Sequence, residues 1–596
     1  MSRSAREQTH SRDETIQGRR FRWRLRSAAK SAATSLTAAL RVPPLVARVL
    51  AARGINEPST ARHILARRLQ DLPDPHQIPD LERAVIRIME ALRVDEPMAV
   101  FGDYDVDGVT ATALLFHFLA SLGGKVRWYL PHRLLEGYGL NSGAMAELKQ
   151  QGTRLVISVD CGSSDHETVR FAAALGLELI VTDHHHLPEV PVEVLALVNP
   201  KRLADGNELR HLAGVGVAFY LVSALRARLR RSGRWDKGDQ PNLKRYMDWV
   251  ALGTLADAAP LTLTNRILTA AGLGLLSETS GPGISALKEV CGLGGTQVTA
   301  WDVLFRLGPR LNAAGRLGGA DLALRLLLAE DLEEARGLAA ELDELNRRRQ
   351  ALEEKTVTEA LAQIEAAQEI AHRRVLVLAS PTWHKGLLGL AAARLVERFG
   401  RPAILLTRGG HGWEGSGRSP AGIDLYRALH SCRAHLRRFG GHQLAAGLSL
   451  AVEQLGSFHA ALDEALSETD GVAPPPREAD TRAQLGEITP AVMSYLELMG
   501  PFGEGNPEPI FCCEGFRLES LQVLKGRHLR LRLSQGDARL GAIGFNLATP
   551  DQPPPTLRRL FFSPTWNSWR GQRRLELQIH DYEGEAMSSV EGPAGC

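Results

Sequence analysis

Cysteine is scarce in this chain, with six residues among 596, and no two of them form a CxxC pair. This spacing argues against a zinc ribbon or a disulfide framework and is typical of a protein from a reducing cytoplasm. No segment approaches the ~18 unbroken apolar residues that a membrane-spanning helix needs, so we expect no membrane partner. The sequence therefore predicts a cytoplasmic protein.

A strong charge of one sign is also missing, because 71 Lys and Arg residues nearly balance 68 Asp and Glu residues for a net charge of +3. This balance excludes a chain that binds nucleic acid through its overall charge. Any phosphate-binding surface must instead be a local basic groove. At 596 residues the chain exceeds one hydrophobic core and predicts roughly three or four domains.

The first ~45 residues are rich in Arg, Ser and Ala, a composition that transit peptides share. Against that interpretation, Glu7, Asp13 and Glu14 are acidic, and the segment continues without a break into "PPLVARVLAARGI". We favour an N-terminal arm that packs on the folded protein through Trp23.

Short β-rich runs alternate with helical patterns from about residue 96, as in "MAVF", "RLVISV" and "LELIVT". This alternation predicts a parallel sheet covered by helices on both faces. Ligands of such sheets bind beyond the carboxyl ends of the strands. Charged side chains follow these runs at Asp103-Asp105-Asp107, at Asp160 and at Asp183-His184-His185. We expect one crevice to collect them.

The rest of the chain completes an α/β fold class with a small all-β domain. A long Ala/Leu/Glu-rich helix is expected to connect the first sheet domain to a second α/β block, and "VAPPPREAD" is expected to link that block to short antiparallel strands. The predicted segments are an N-terminal arm and helical segment (1–85), the parallel-sheet domain (86–328), the connecting helix (329–372), the second α/β domain (373–468), and a barrel with a C-terminal tail (469–596).

Three carboxylates in "GDYDVDG", residues 102–108, repel one another unless a cation lies among them. Gly108 would free the backbone to turn into the next helix. Together with Asp160 and a histidine of "DHHH", the set suits Mg²⁺ or Mn²⁺, and the imidazole favours Mn²⁺. Two such ions sharing carboxylates are a known device for phosphoester hydrolysis.

Each piece has a simpler interpretation. A calcium loop would need an acid at the twelfth position, which is Leu114, so that alternative fails. Asp160 alone would be a helix cap, and three histidines alone would be a polar loop. Their joint occurrence at three strand ends favours the metal site.

"GDYDVDG", "VDCG", "TDHHH" and "TLADAAPL" resemble the four motifs of the DHH phosphoesterase superfamily. Further segments are similar to the RecJ family of bacterial single-strand-specific 5′→3′ DNA exonucleases, in order from about residue 20 to about residue 585. They are "GPRLNAAGRL", "SPTWHKGLLGLAAARLVERFGRP", "GSGRS", "FGGHQLAAGL" and "LMGPFGEGNPEPIF".

The resemblance implies two Mn²⁺ or Mg²⁺ ions held by Asp103, Asp105, Asp160, His184 and Asp257. Asp105, Asp160 and His185 would be catalytic, with His185 contacting the scissile phosphate. Phe101 stands where some relatives have a histidine, which leaves the ligands of the second ion open. His186 is extra to the motif and is expected to face solvent.

The resemblance also implies a path for nucleic acid. Glycine-rich turns and guanidinium groups of this kind hold phosphates. A structural turn, a helix cap or an ion pair is the alternative for each. The residues are Arg133, Arg310, Asn312, Arg316, Ser416, Arg418, Ser419, Gly440, Gly441 and His442.

The implied activity is two-metal hydrolysis of single-stranded DNA from the 5′ end, releasing mononucleotides in recombination and repair. The barrel would be an OB-type fold that binds the strand, and partners would be single-strand-binding protein and a RecQ-type helicase near the nucleoid. A small-molecule DHH phosphoesterase is one alternative, but it leaves the barrel without a role. An inactive DNA-binding scaffold is the other, but all the expected acids are retained.

Overall fold

The computed structural model describes residues 15–236, 239–278, 281–367, 372–467, 475–548, 556–569 and 572–585. The chain forms two compact units, one of Met1–Asp71 with Pro475–Cys596 and one of Leu72–Pro474. The first unit therefore combines the two ends of the chain. Its N-terminal elements are β1 (Thr15–Gln17), β2 (Arg22–Leu25), α1 (Lys30–Leu40), α2 (Pro44–Ala52) and α3 (Pro58–Ala66).

The second unit opens with a sheet of five parallel strands in the order β4-β3-β5-β6-β7, which confirms the predicted parallel sheet. The strands β3, β5, β6 and β7 are mostly apolar and buried, as helices on both faces require, whereas the edge strand β4 is half-buried. Its elements are α4 (Leu81–Arg93), β3 (Met98–Phe101), α5 (Val106–Ser121), β4 (Val126–Tyr129), α6 (Ser142–Gln150), β5 (Leu155–Val159), α7 (His166–Ala174), β6 (Glu178–Thr182), β7 (Ala196–Val198), α8 (Gly214–Arg231) and α9 (Met247–Ala256).

A helical segment comes next, and it contains a short π-helix at Val303–Leu307. The long predicted helix is present, but it is packed along its length rather than being a bare spacer. Leu338 and Leu342 near its start are buried, and Val357 and Ile364 near its end join the core of the second sheet. The helices are α10 (Leu263–Glu278), α11 (Pro282–Val290), α12 (Ala300–Asp302), α13 (Gly308–Leu317), α14 (Asp321–Leu328) and α15 (Leu332–Ala366).

The second α/β block has a five-stranded sheet in the order β11-β12-β10-β9-β8, in which only the β8–β9 pair of the described strands is parallel. Its elements are β8 (Leu376–Ala379), α16 (Leu388–Phe399), β9 (Ala403–Gly409), β10 (Gly412–Arg418), α17 (Leu425–Ser431), β11 (Arg438–His442), β12 (Ala445–Leu450) and α18 (Leu455–Ala465).

The C-terminal part of the first unit is a seven-stranded sheet in the order β14-β15-β19-β20-β18-β17-β16, beside a small sheet β1-β2-β13. This agrees with the predicted all-β domain. Its elements are β13 (Arg477–Ala479), β14 (Thr481–Arg482), α19 (Pro490–Met499), β15 (Phe511–Glu514), β16 (Arg517–Leu524), β17 (His528–Gln535), β18 (Ala538–Gly544), β19 (Thr556–Trp569) and β20 (Gln572–Glu585).

Trp23 anchors the N-terminal arm inside this unit. Its side chain is fully buried, its ring stacks on Phe561 with centroids 4.4 Å apart, and its Nε1 donates to the Asp581 carboxylate at 2.9 Å. The arm is thus part of the barrel's core from residue 15 onward. Residues 1–14, most of the "VAPPP" linker and the C-terminal tail lie outside the described residues. Across the described chain, no helix combines the length and hydropathy that crossing a membrane requires.

Candidate metal centre and phosphate site

The acidic loop follows β3 and leads directly into α5. Asp105 caps α5, because its carboxylate accepts the backbone amides of Asp107 at 3.0 Å and Gly108 at 3.1 Å. Gly108 lies inside the first helical turn, where a Cβ would stand 2.6 Å from the Asp103 backbone nitrogen. The glycine is therefore required by close packing, not by the free turn that the sequence suggested.

Asp160 follows β5 in a strained conformation. Its φ is +62°, in the left-handed region that Asp tolerates better than most residues, and only 2% of it is exposed. Its backbone amide donates to the Thr182 carbonyl at 2.9 Å, which holds the loop against the end of β6. Strain of this kind is characteristic of functional loops.

The DHH loop after β6 is organised by Asp183. One of its oxygens accepts the backbone amides of His184 and His185 at 2.7 and 3.1 Å and contacts the His185 ring at Nδ1 at 2.8 Å. The His184 ring lies among the acidic side chains, with its Nε2 3.7 Å from Asp107 Oδ2. Its Nε2 lies 3.0 Å from Asp160 Oδ1 and 3.9 Å from Asp257 Oδ2.

The predicted ligands converge. Three overlapping groups bring ligand atoms within 4.8 Å of one another. Asp103 Oδ1, Asp160 Oδ1 and His184 Nε2 are buried and make no hydrogen bond within the described part of the chain, although the last two face each other at 3.0 Å. Such orphaned atoms fit a cation bound by oxygen and imidazole, as Mn²⁺ or Mg²⁺ would be. The groups are Asp103-Asp105-Asp160, Asp107-His184-Asp257 and Asp160-His184-His185.

The electrostatics of this centre require a positive charge. Burial first, and neighbouring carboxylates second, raise the pKa of Asp103, Asp107 and Asp160 well above the usual range and that of Asp257 to about 7. Burial opposes protonation of His185, but its hydrogen bond to Asp183 dominates and raises its pKa to about 9. The carboxylates can all ionise only if cations offset their repulsion.

Asp107, which was expected in the crevice but not among the ligands, belongs to the centre, and Tyr138 was missed from the sequence altogether. The Asp107 carboxylate also accepts backbone amides at the start of α8. The Tyr138 hydroxyl lies 3.1 Å from His185 Nδ1 and 3.3 Å from the Asp160 carbonyl. The only sequence signal for Tyr138 is its position between Gly137 and Gly139, which both have positive φ. Phe101 is buried and stacks on Tyr129, so it offers no ligand.

Three predicted phosphate residues form one group, Arg133, Arg316 and Arg418, which we call the arginine group. Arg133 lies over the Tyr104 ring at 4.9 Å, and Arg418 donates to Ser416 Oγ at 3.0 Å. Burial lowers the pKa of Arg316 to about 10, and the charge of Arg133 contributes next. None of the three forms an ion pair with a described residue, so their charge is not neutralised by an acidic side chain in the described part of the chain.

Other predicted phosphate residues make contacts within the fold. Arg310 Nε donates to Asp343 Oδ1 at 2.8 Å, and Asn312 Oδ1 accepts the Val106 amide at 3.2 Å. These are the ion-pair and helix-capping roles that the sequence left open. Ser419 Oγ donates to the Ile423 carbonyl at 2.9 Å.

The two glycine-rich segments, which were expected to be turns, are strand residues, because residues 415–418 belong to β10 and residues 440–442 belong to β11. Strand β11 brings His442 beside the DHH loop. Gly441 has a φ of +142°, and a Cβ there would meet the Ala445 carbonyl at 2.3 Å, whereas a Cβ at Gly440 would meet open space. The His442 ring lies 5.8 Å from that of His186. His186 is exposed, as expected, but it is not isolated.

Comparison with known proteins identifies this arrangement. Residues 97–254 match the model of the DHH family, N-terminal domain, residues 372–468 that of the DHHA1 domain, and residues 479–581 that of the RecJ OB domain. The single-stranded-DNA-specific exonuclease RecJ of Bacillus subtilis is 34% identical over 573 residues, covering 94% of this chain and 71% of that protein. This chain belongs to the RecJ family.

Further RecJ proteins agree over most of the chain. Single-stranded-DNA-specific exonuclease RecJ of Escherichia coli is 37% identical over 557 residues, covering 90% of this chain and 95% of that protein. The crystal structure of RecJ in complex with Mn²⁺ from Thermus thermophilus superposes with a TM-score of 0.80 at 34% identity, covering 94% of this chain and 79% of that chain. The predicted family and fold class are confirmed.

Proposed function

We propose that this protein is a metal-dependent exonuclease that removes mononucleotides from the 5′ end of single-stranded DNA. The observation that carries the proposal is the buried carboxylate–imidazole centre, with its orphaned ligand atoms, next to an arginine group that has no acidic partner among the described residues. One part suits divalent cations and the other suits a phosphate, so together they suit a phosphodiester.

Asp103, Asp105, Asp160, His184 and Asp257 would hold the ions, with Asp107 and His185 adjacent. When bound, Mn²⁺ or Mg²⁺ supplies activation of the attacking water and offsets the negative charge of the phosphate. His185 adds a directed proton donor, because Asp183 fixes its ring and keeps its pKa high. Its protonated ring would donate a hydrogen bond to an oxygen of the scissile phosphate.

The arginine group explains why cleavage would start at the 5′ end. A terminal 5′ phosphate binds the three guanidinium groups, and the next phosphate then reaches the carboxylate centre. Attack by water on that phosphorus breaks its bond to the O3′ of the terminal nucleotide, which leaves as a 5′-mononucleotide with a 3′ hydroxyl. The shortened strand keeps a 5′ phosphate, so the same contact is available for the next cycle.

The barrel domain would add affinity for the strand without reading its sequence, through backbone charge and base stacking. We propose functional divisions near residues 85, 328, 372 and 468. Single-strand-binding protein and a RecQ-type helicase are proposed partners in recombination and repair at the nucleoid. The five cysteines of the described residues, including the adjacent Cys512 and Cys513, are free and buried, which supports a reducing cytoplasm.

The test compares single strands labelled at the 5′ end with the same strands labelled at the 3′ end, in Mn²⁺ or Mg²⁺. Labelled mononucleotide should appear at once from the 5′ label, while the 3′ label should persist in a ladder of shortening strands. Blunt duplex of the same sequence should resist. Early release of the 3′ label would show that digestion starts at the 3′ end, contrary to the proposal. Hydrolysis of small phosphoesters alone would favour the phosphoesterase alternative.

A further inference from the structure

A basic side chain outside the arginine group, Lys201, lies beside the carboxylate centre on the turn that follows β7. Asn199 is fully buried at the start of this turn, and its Oδ1 accepts the backbone amide of Lys201 at 2.8 Å. Its Nδ2 donates to the His185 carbonyl and to Ser163 Oγ, both at 3.0 Å. Asn199 therefore fastens the backbone of Lys201 directly to the DHH loop.

The two cations of this turn differ in their partners. Arg202 NH1 donates to Asp80 and to the Leu197 carbonyl, both at 2.7 Å, so its charge is compensated within the fold. Lys201 is half-buried, and its ammonium forms no ion pair or hydrogen bond with any residue that the structure describes. Arg210 supports the turn instead, because its NH1 donates to the Lys201 carbonyl at 2.6 Å. A partly desolvated ammonium without a partner, on a backbone that hydrogen bonds hold in place, is suited to an anionic ligand.

Lys201 and the arginine group interact with different carboxylates of the centre. Lys201 interacts with Asp257, whereas Arg133 of the arginine group interacts with Asp103. Burial and then Arg210 lower the pKa of Lys201, whereas Asp257 raises it. Lys201 is also among the charges that, after burial, lower the pKa of His184 and His186. The arginine group acts instead on Asp103 and on Tyr104. Basic groups therefore flank the carboxylate centre at two separate places.

We propose that the Lys201 ammonium binds the phosphate one position to the 3′ side of the scissile bond. This inference rests on the proposed function. The arginine group takes the terminal phosphate and the carboxylate centre takes the scissile phosphate. Lys201 is a cation without an ion-pair partner among the described residues, and Asn199 holds its backbone beside the DHH loop. His186, which the charge of Lys201 also reaches, lies 5.8 Å from the ring of His442 on β11, so a predicted phosphate residue borders this side of the centre.

The experiment uses the full chain, Mn²⁺ and a 5′-phosphorylated single strand of about ten nucleotides. A matched strand carries a neutral methylphosphonate in place of the third phosphate, counted from the 5′ phosphate as the first. Release of the first nucleotide is measured for the wild type and for Lys201→Ala on both strands. Lys201→Arg tests charge, and Lys149→Ala is the control, because Lys149 is also half-buried but donates to the Gly176 carbonyl away from the centre.

We expect Lys201→Ala to raise KM about tenfold on the normal strand, as loss of one phosphate contact would, with kcat nearly unchanged. The methylphosphonate should raise the wild-type KM by a similar factor and should add nothing further in Lys201→Ala. The KM of Lys201→Arg should stay near that of the wild type, and the KM of Lys149→Ala should equal that of the wild type. Mn²⁺ binding measured by calorimetry should be the same in all variants.

If the substitution and the methylphosphonate raised KM independently, so that their effects multiplied, the proposal would be overturned. It would also be overturned if Lys201→Ala bound less Mn²⁺ or lowered kcat rather than raising KM. The latter results would make Lys201 a counter-charge for Asp257. Failure of the proposed function is a separate outcome, because the wild type would then release no nucleotide from the normal strand.

Discussion

The carboxylate of Asp107 accepts the backbone amide of Gly214 at 2.6 Å, across 107 residues of sequence. The neighbouring amide of Val215 donates to the same carboxylate at 2.8 Å. Asp107 thus caps α8 from the first turn of α5, and it joins the acidic loop to the helix that packs beside it. The third acid of "GDYDVDG" has a structural task in addition to its place near His184.

Asp107→Ala should destabilise the Mn²⁺-loaded protein by about 1–2 kcal/mol, because two helix-terminal amides lose their acceptor. The free energy of unfolding should be measured with Mn²⁺ present, because without the ion the substitution also relieves repulsion from Asp257 and Asp105. Asp107→Asn keeps a hydrogen-bond acceptor, so it should lose less stability than Asp107→Ala. Asp331→Ala, which removes an exposed cap of α15, is the control for stability without loss of activity. Unchanged stability in Asp107→Ala would contradict the capping role.

Asp160→Asn should abolish cleavage while leaving strand binding largely intact. Asn is the appropriate replacement because it tolerates the left-handed backbone at φ +62°, whereas Ala adds strain. In chelator the variant should melt above the wild type, since a neutral amide replaces a carboxylate buried among carboxylates. Mn²⁺ at 100 times its Kd should stabilise the wild type by about 2.7 kcal/mol and the variant far less. Near-normal turnover would remove the two-metal proposal.

The parallel sheet and the positions of its acids were predictable because short-range pattern determines them. Buried parallel strands are runs of β-branched residues, and the residues just after each strand lie at the ligand-binding edge of the sheet. Asp103, Asp160 and His184 all follow strands of one sheet, so their meeting required no knowledge of packing.

The remaining contacts depend on tertiary structure that no local pattern encodes. Nothing near Asp107 in sequence indicates Gly214, and nothing near Asn199 indicates the His185 carbonyl that it binds. Arg310 and Arg316 lie on the same helix, yet Asp343 of the neighbouring helix α15 pairs with Arg310 and not with Arg316. Long-range partners of this kind decide whether a cation is structural or available to a ligand.

Arg418→Ala should lower kcat/KM on 5′-phosphorylated strands by roughly 100-fold, the scale expected when a buried charged hydrogen-bonding partner is removed. Arg418→Lys should recover little, because an ammonium lacks the paired donors of a guanidinium. Bound Mn²⁺, measured by calorimetry, should not change, since no proposed ligand is altered. Arg408→Ala, an exposed arginine over Trp413, is the control. Loss of metal in parallel with activity would make Arg418 structural.

A fragment of residues 72–474 should hydrolyse short oligonucleotides but bind long strands weakly, because it keeps every proposed ligand and lacks the barrel. Deleting only residues 475–596 should give a poorly behaved protein, since Trp23 would lose Phe561 and Asp581 and become exposed. Fluorescence anisotropy measures the affinity of the 72–474 fragment for the strand. Size-exclusion chromatography shows whether the protein that lacks only residues 475–596 stays soluble. Unchanged affinity of the fragment for long strands would show that the barrel does not bind DNA.

Asp248 should make the second unit less stable as pH rises. It is 3% exposed in the first turn of α9, and burial raises its pKa to about 6. Because the folded state holds this proton more tightly than the unfolded chain, whose pKa is about 3.9, stability falls as pH rises from ~4 to ~6. Two pKa units correspond to at most about 3 kcal/mol. Asp248→Asn should therefore match the wild type near pH 4 and exceed it above pH 6, measured as melting temperature against pH. A difference that does not vary with pH would show that folding does not raise the pKa of Asp248.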